Sequence, residues 1–338
     1  MASAVPQRGS RFSVFFPGIL FREQLISYFP LVKILVASDK FKGSITSAEV
    51  NATVAKAVLA VMPKARVVEL PMADGGDGFA LAIRHYLHTR TVKLRTKDPL
   101  GRSIKAAYEW DSSKQTAIIE MAAASGLALL NTSERNPMKT SSLGTGLLLR
   151  HAINKGARTI ILGVGGSATN DGGMGLATAL GFKFYDEEGH LLKPGGAALS
   201  AVHTIVPPSR LPKLKFVIAA DVDNRLCGKN GASAVYGPQK GASKAMVQEL
   251  DKGLSNLADC FRDLTGKDNR DIKGAGAAGG VALPLLACFA TRIEPGAVII
   301  ARVAKLSQHL RSAGLFISGE GRIDAQSGQG KLVGRLVT

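Results

Sequence analysis

Between Thr159 and Leu180 the chain passes from an apolar run, Thr159-Ile160-Ile161-Leu162, through GVGGSATNDGGMG (Gly163 to Gly175) into Leu176-Ala177-Thr178-Ala179-Leu180. The run reads as a buried strand and the last segment as a helix. A glycine-dense turn between the two lets backbone come close to an anion. N–H groups at the helix start then point at it, and the helix dipole favours negative charge there. Asn170 and Asp171 lie inside the turn, so a carbonyl and a carboxylate oxygen stand where a phosphate and its metal ion would be. The unit predicts an α/β chain that handles phosphate.

Length and charge narrow the partners. The 338 residues suggest about two domains. Lys and Arg number 43 against 26 Asp and Glu, a formal charge of +17 that suits anionic partners. No block of like charges forms a basic tail, and aromatics at 6% argue against base-stacking platforms. A non-catalytic basic protein binding nucleic acid is therefore a minor alternative, and no nucleic-acid partner is expected. Cys227, Cys260 and Cys288 are odd in number and far apart, which argues against a disulfide scaffold or zinc module and for a reducing compartment. No apolar run reaches the roughly 18 residues needed to span a bilayer, so no membrane partner is expected. A cytoplasmic location follows. Residues 1–30 carry Arg8, Arg11, Arg22 and a broken apolar patch, Phe12 to Phe21. They read as a disordered extension, or as a transit peptide that would make the location organellar.

Along the chain, Leu31 to Ala37 predicts a strand. Thr46-Ser-Ala-Glu49 is a capping box opening a helix that Pro63 stops. Arg66 to Leu70 is a second strand, so the pair is parallel with a right-handed crossover. The loop MADGGDG (Met72 to Gly78) leads into a helix through about His88. After the turn Asp98-Pro-Leu-Gly101 come two strand-like runs, Ser103 to Trp110 and Thr116 to Met121. Adjacent strands without a helix break the alternation, which places a domain boundary near residue 97. Strand–helix alternation returns over Gly144 to Asp186. Lys215 to Ala220 is a buried strand ending in Asp221-Val-Asp223-Asn224. Ala242 to about Leu264 is a helix, GAGAAGG (Gly274 to Gly280) opens another, strand and helix return from Ala297, and Gly314 to Ile317 is a final strand. Most glycine–aspartate loops fall at the C-terminal ends of strands, where open parallel sheets bind ligands.

Two chemistries compete for the central loop. Gly163-x-Gly165-x-x-Ala168, with Asp186 about 20 residues on, fits a dinucleotide fingerprint and an NAD(P)-dependent oxidoreductase. Asn170-Asp171 disturbs it by placing an acid beside the pyrophosphate, which a metal-bridged phosphate tolerates better. Asp74, Asp77, Asp221, Asp223, Glu320 and Asp324 stand in loops at strand ends. Such acids ligate Mg²⁺, take a proton from an attacking hydroxyl, or merely cap turns. Lys42, Lys240 and Lys331 each stand in a glycine-rich loop, where an ammonium can follow a transferred phosphoryl group or simply be solvated. Thr140, Ser141, Ser142 and Thr145 could hold an anion or cap the following helix.

Ten motifs in this order resemble the class I glycerate kinase family. They are DxFKGS (Asp39 to Ser44), MADGGDG, DPLGR (Asp98 to Arg102), IEMAxASGL (Ile119 to Leu127), RNP…TxxxGTG within Arg135–Gly146, GGSATNDGG, DVDN, NGASAV-GPQKGA, GAGAAGG and GEGR-DAQS–GK. The similarity covers about Val32 to the end. It implies an α/β fold of two domains: a Rossmann- or flavodoxin-like parallel sheet, 31–96 plus 293–338, with a second α/β domain, 97–292, inserted into it. It implies ATP-dependent phosphorylation of D-glycerate, at the 2-hydroxyl, with Mg²⁺; an oligomer is possible. On chemistry, Asp171 or Asp74 serves as base or metal ligand. Lys42, Lys240 and Lys331 contact phosphates or the glycerate carboxylate. Gly165, Gly166 and Ser167 supply donors, Asn170 and Glu320 join the nucleotide site, and Asp221 and Asp223 hold the metal. The chain departs from the pattern at residues 1–30, which have no family counterpart, at Lys40 and Asp77, and at its end. Family members run on beyond the GK motif, so the outer domain is expected to be C-terminally incomplete.

Overall fold

The computed structural model describes residues 32–41, 44–73 and 79–320. In chain order the first elements are β1 (Lys33–Val36), α1 (Ser47–Val61), β2 (Arg66–Glu69), α2 (Phe79–Tyr86), β3 (Arg90–Lys97), β4 (Ser103–Asp111), β5 (Thr116–Glu120) and α3 (Ala122–Ser125). The middle of the chain forms α4 (Leu143–Asn154), β6 (Thr159–Gly163), α5 (Met174–Ala179), β7 (Lys183–Tyr185) and β8 (Thr204–Val206). Then come β9 (Lys215–Ala219), α6 (Ala232–Tyr236), α7 (Lys244–Thr265), α8 (Leu283–Cys288), β10 (Ala290–Glu294), α9 (Gly296–Val303), α10 (Leu306–Arg311) and β11 (Leu315–Ile317).

Three sheets result, ordered β11-β1-β2, β10-β9-β6-β5-β4-β3 and β7-β8. The first is wholly parallel, and the predicted crossover from β1 through α1 to β2 is present. The capping box forms as read: Glu49 N donates to Thr46 Oγ1 at 3.3 Å, and Thr46 N donates to Glu49 Oε2 at 2.9 Å. In the six-stranded sheet β10, β9, β6 and β5 are parallel, and β4 and β3 are added antiparallel.

The near-continuous apolar runs of β5, β6 and β9 mark strands covered on both faces. One face, with Ile119, Ile160, Leu162 and Ile218, packs against Leu148 and Leu149 of α4 and Leu176 of α5. The other, with Ile118, Ile161 and Val217, packs against Phe79 and Ile83 of α2 and Ile299 and Ile300 of α9. Leu35 and Leu70 of the small sheet belong to that same cluster. The helices α2 and α9 thus form a layer whose core both sheets share, and this fixes the two strand-end regions relative to each other.

Three expectations shift. Residues 90–97 form a strand paired antiparallel with β4, so the change of sheet falls before residue 97. The segment RTVKLRTK turns Val92 and Leu94 to the core and its cations to solvent, an edge-strand pattern with too few apolar residues to stand out. The strand expected from Ala297 is the helix α9. The strand lies earlier, at β10, so residue 292/293 falls inside a strand rather than at a change of sheet. Finally, β7 leaves the main alternation and pairs with β8 in a separate two-stranded sheet.

Candidate functional site

At the small sheet, Asp39 N donates to Gly319 O at 2.8 Å and Met72 N to Ser38 O at 3.1 Å. The strand-end residues after β1, β2 and β11 are thereby tied together. Glu320 follows directly, half-buried, with its Oε1 buried and unpartnered. Lys42, Asp74, Asp77, Asp324 and Lys331 lie outside the described residues. The chain leaves the small sheet at Ala73 and re-enters the described structure at Phe79, over the ends of β5 and β6. There Ala80 N donates to Glu120 Oε1 at 3.1 Å, and a methyl added at Gly163 would meet the Phe79 ring at 3.2 Å. The strand ends of both sheets are thus joined across a short stretch of chain.

The glycine loop after β6 is held on all sides. Ser167 forms a bridge with Gly126, Ala168 N donates to Ser125 O at 2.9 Å, and Thr140 Oγ1 donates to Ala168 O at 2.9 Å. Asn170 Nδ2 donates to Ser233 Oγ at 2.9 Å. The GAGAAGG segment packs on the loop's far side. Gly279, at φ +71°, lies so close to the Thr169 carbonyl that any side chain there would strike it. Gly279→Ala is expected to lower stability by about 2 kcal/mol or more, because a left-handed conformation and a backbone clash add. Equilibrium urea unfolding measures it.

Inside this frame sits a network that sequence reasoning assigned to ligands. Asp171 has no exposed surface. Its Oδ2 accepts from Ser142 N at 2.7 Å, Ser142 Oγ at 2.8 Å and Gly175 N at 3.1 Å, and its Oδ1 accepts from Gly173 N at 3.2 Å. Burial pushes its carboxyl above the usual carboxylate range, while the donors from Ser142, Gly175 and Gly173 pull the other way. Lys240 is 1% exposed, and its Nζ donates to Thr169 O at 2.7 Å and Ser167 Oγ at 3.1 Å. Burial brings the ammonium down to about 7 against the pull of the Asp171 charge. Asn170 is also fully buried. Asp171, Lys240 and the Ser167 hydroxyl therefore spend their polar atoms on the protein's own frame, whereas Asn170 gives its amide nitrogen to Ser233 and keeps a buried Oδ1 without a partner. Gly165 and Gly166, half-buried and exposed, are the part of the loop that faces solvent.

The two acids expected to hold the metal have different surroundings. Asp221 and Asp223 are both exposed. Asp221 Oδ1 accepts from Gly296 N at 3.2 Å, and Asp223 lines an open groove of about 510 Å³ with Asn224, Arg225, Cys227, Lys229 and Asn230. Burial pushes the Cys227 thiol there up to about 12, which disfavours the thiolate. This groove adjoins the glycine loop through the intervening segment, since Gly276 N donates to Asn224 O at 2.9 Å and Gly279 packs on Thr169 and Asn170. Among the described residues, the His/Cys/Asp/Glu group close enough to hold an ion is Asp186, Glu188 and His190, on the exposed turn after β7.

The same turn removes the dinucleotide alternative. A ribose-binding acid ends the parallel strand beside the glycine turn. Asp186 follows β7, which is not in the six-stranded sheet, and accepts from His190 N at 2.7 Å. What remains is a strand–glycine loop–helix unit packed against GAGAAGG, which in turn contacts DVDN, and a small parallel sheet, with DxF and SGE at its strand ends, that shares the α2–α9 layer.

The sequence model of the Glycerate kinase family matches residues 34–338. The chain belongs to the glycerate kinase family. It is 41% identical over 304 residues to the glycerate 2-kinase of Escherichia coli (strain K12), covering 89% of this chain and 80% of that protein. It is 42% identical over 303 residues to the glycerate kinase of Haemophilus influenzae, with the same coverage of 89% and 80%. The crystal structure of a protein described as glycerate kinase 2 from Salmonella typhimurium LT2 superposes with a TM-score of 0.83 at 38% identity, over 91% of this chain and 84% of that one. Within this family member, sequence reasoning missed Ser142 as an Asp171 partner and gave Arg135 no role. Ser142 stood in a flagged hydroxyl cluster, and Arg135 in a motif with no spacing rule attached to it.

Proposed function

We propose that this glycerate kinase transfers the γ-phosphoryl group of ATP to the 2-hydroxyl of D-glycerate. The observation that carries the reading is the 41% identity over 304 residues to a glycerate 2-kinase. The fold supports it, because the solvent-facing Gly165 and Gly166 present backbone N–H groups at the end of a parallel strand. In the reaction the hydroxyl oxygen forms a bond to the γ-phosphorus, the bond to the β-phosphate oxygen breaks, and ADP leaves. The hydroxyl proton passes to a carboxylate. Asp171 is enclosed by five donors, so of the two candidates Asp74 is assigned the proton.

Phosphates are assigned to the Gly165–Gly166 backbone with Lys42 and Lys331. Mg²⁺ keeps several waters and takes one or two carboxylates together with phosphate oxygens. Asp223, exposed at the rim of the groove, fits that demand, with Asp221 beside it in sequence. The ion would offset charge on the phosphoryl group in transfer. Glu320 is the acid assigned to the nucleotide from the small sheet. The partners are small molecules, and the location proposed is the cytoplasm. No helix among the described residues is long and apolar enough to cross a membrane.

ATP consumption coupled to a chromogenic readout, with D-glycerate, L-glycerate and glycerol as acceptors, tests the reading. Phosphorus NMR of the product separates the 2- from the 3-phosphate. Turnover is expected with D-glycerate and ATP–Mg²⁺. Calorimetric binding of NADH without binding of ATP would overturn it.

A further inference from the structure

Three arginines among the described residues are half-buried: Arg135, Arg262 and Arg270. Arg262 pairs with Asp259 and Asp263, and Arg270 with Asp259 and Asp268. Among the described residues Arg135 pairs with no carboxylate, and its Nε is buried without a partner. The acid next to it is already engaged, since Glu134 Oε1 receives Arg102 Nη1 at 2.6 Å. Burying a guanidinium donor with nothing to accept its hydrogen costs free energy unless a ligand supplies the acceptor.

The position of Arg135 says where that ligand lies. Its carbonyl packs against Gly241, whose φ of +90° leaves no room for a side chain. Lys240, next in the chain, reaches Ser167 and Thr169 of the glycine loop. Five residues after Arg135, Thr140 donates to Ala168 O. The segment carrying Arg135 is therefore tied at both ends to residues 167–169. With Lys240 committed to the loop, Arg135 is the cation beside it with donors to spare. A guanidinium offers five N–H groups in a planar fork, which matches the two oxygens of a carboxylate and suits an ammonium less well.

We propose that Arg135 binds the carboxylate of the acceptor and so selects a hydroxy acid over a neutral polyol. The assignment rests on the glycerate kinase reading and names the group that reads its substrate. Lys42, Lys240 and Lys331 are then not needed for the carboxylate.

The experiment uses the whole chain and the variants Arg135→Gln and Arg135→Lys. Wild-type turnover with D-glycerate is measured first and tests the parent reading alone. In Arg135→Gln the KM for D-glycerate is expected to rise by about 30-fold or more, the scale of a lost charged hydrogen bond. The KM for ATP should stay within about twofold, and the preference for D-glycerate over glycerol should shrink by the same factor. Arg135→Lys, which keeps the charge and loses the fork, should fall between, and added ethylguanidinium should restore part of the Gln variant's activity. An unchanged KM for D-glycerate, or a rise confined to ATP, overturns the proposal; the latter assigns Arg135 to the nucleotide phosphates. If wild type turns over no glycerate, calorimetry of D-glycerate against glycerol decides. Binding lost in Arg135→Gln supports the proposal, and binding retained there, or absent from wild type, overturns it. If Arg135→Gln melts far below wild type, Arg135→Lys carries the comparison.

Discussion

Asp171→Ala is expected to unfold with at least about 4 kcal/mol less free energy than wild type. The carboxylate is the common acceptor of the backbone N–H groups of Ser142, Gly173 and Gly175 and of the Ser142 hydroxyl. Each buried donor left without an acceptor costs roughly 1–3 kcal/mol, and no water reaches a group with no exposed surface. Losses above about 4 kcal/mol are rare and mark this kind of network collapse. Asp171→Asn should lose less: its carbonyl oxygen keeps some of the donors, while its amide nitrogen brings hydrogens that nothing accepts. Urea unfolding and turnover are measured on the same samples. Wild-type stability with turnover abolished would return Asp171 to the role of base. Lowered stability, with turnover recovered in the fraction that is folded, confirms the frame.

That contrast shows what the sequence made legible and what it hid. The strand, glycine turn and helix at 159–180 were readable because the pattern is local: apolar run, glycines, apolar run. The capping box of Thr46 and Glu49 was readable for the same reason. The parallel crossover followed from strand–helix–strand order. The strand at 90–97 hid because an edge strand needs few apolar residues, and Val92 and Leu94 are the two it packs on the core. At the site, residue types were readable but their direction was not. Asp171 and Lys240 look like ligand groups in a glycine loop, yet their partners come from far along the chain. Ser142 lies 29 residues before Asp171, and Ser167 lies 73 before Lys240. Whether a polar side chain faces a cleft or closes a frame is settled by such distant contacts, which no spacing rule carries. Arg135 is the converse case. It matched no chemical pattern and stands out because its buried Nε has no partner while the acid beside it is occupied.

Lys240 yields the second large effect, in the pH dependence of stability. Burial lowers its folded pKa to about 7 from the ordinary lysine value of 10.5. Between those two values the unfolded chain holds a proton that the folded chain has released. The unfolded state therefore binds more protons, and stability rises with pH across that window. Below pH 7 both forms hold the proton and the destabilisation is at its full size; above about 10.5 it is gone. The slope approaches about 1.4 kcal/mol per pH unit in mid-window, for a total of several kcal/mol. Cys227 and Cys288 work against this in the same range, because burial raises their folded values to about 12 and about 11. Each thiol contributes stability that is lost as pH rises. The quantity to read is therefore the difference between wild type and Lys240→Met, from which the thiols cancel. Methionine keeps the length of the stem and removes the charge. The difference, wild type minus variant, should climb from pH 7 to pH 10. A flat or falling difference would mean that Lys240 stays charged in the folded protein, held by the field of Asp171 against the cost of its burial.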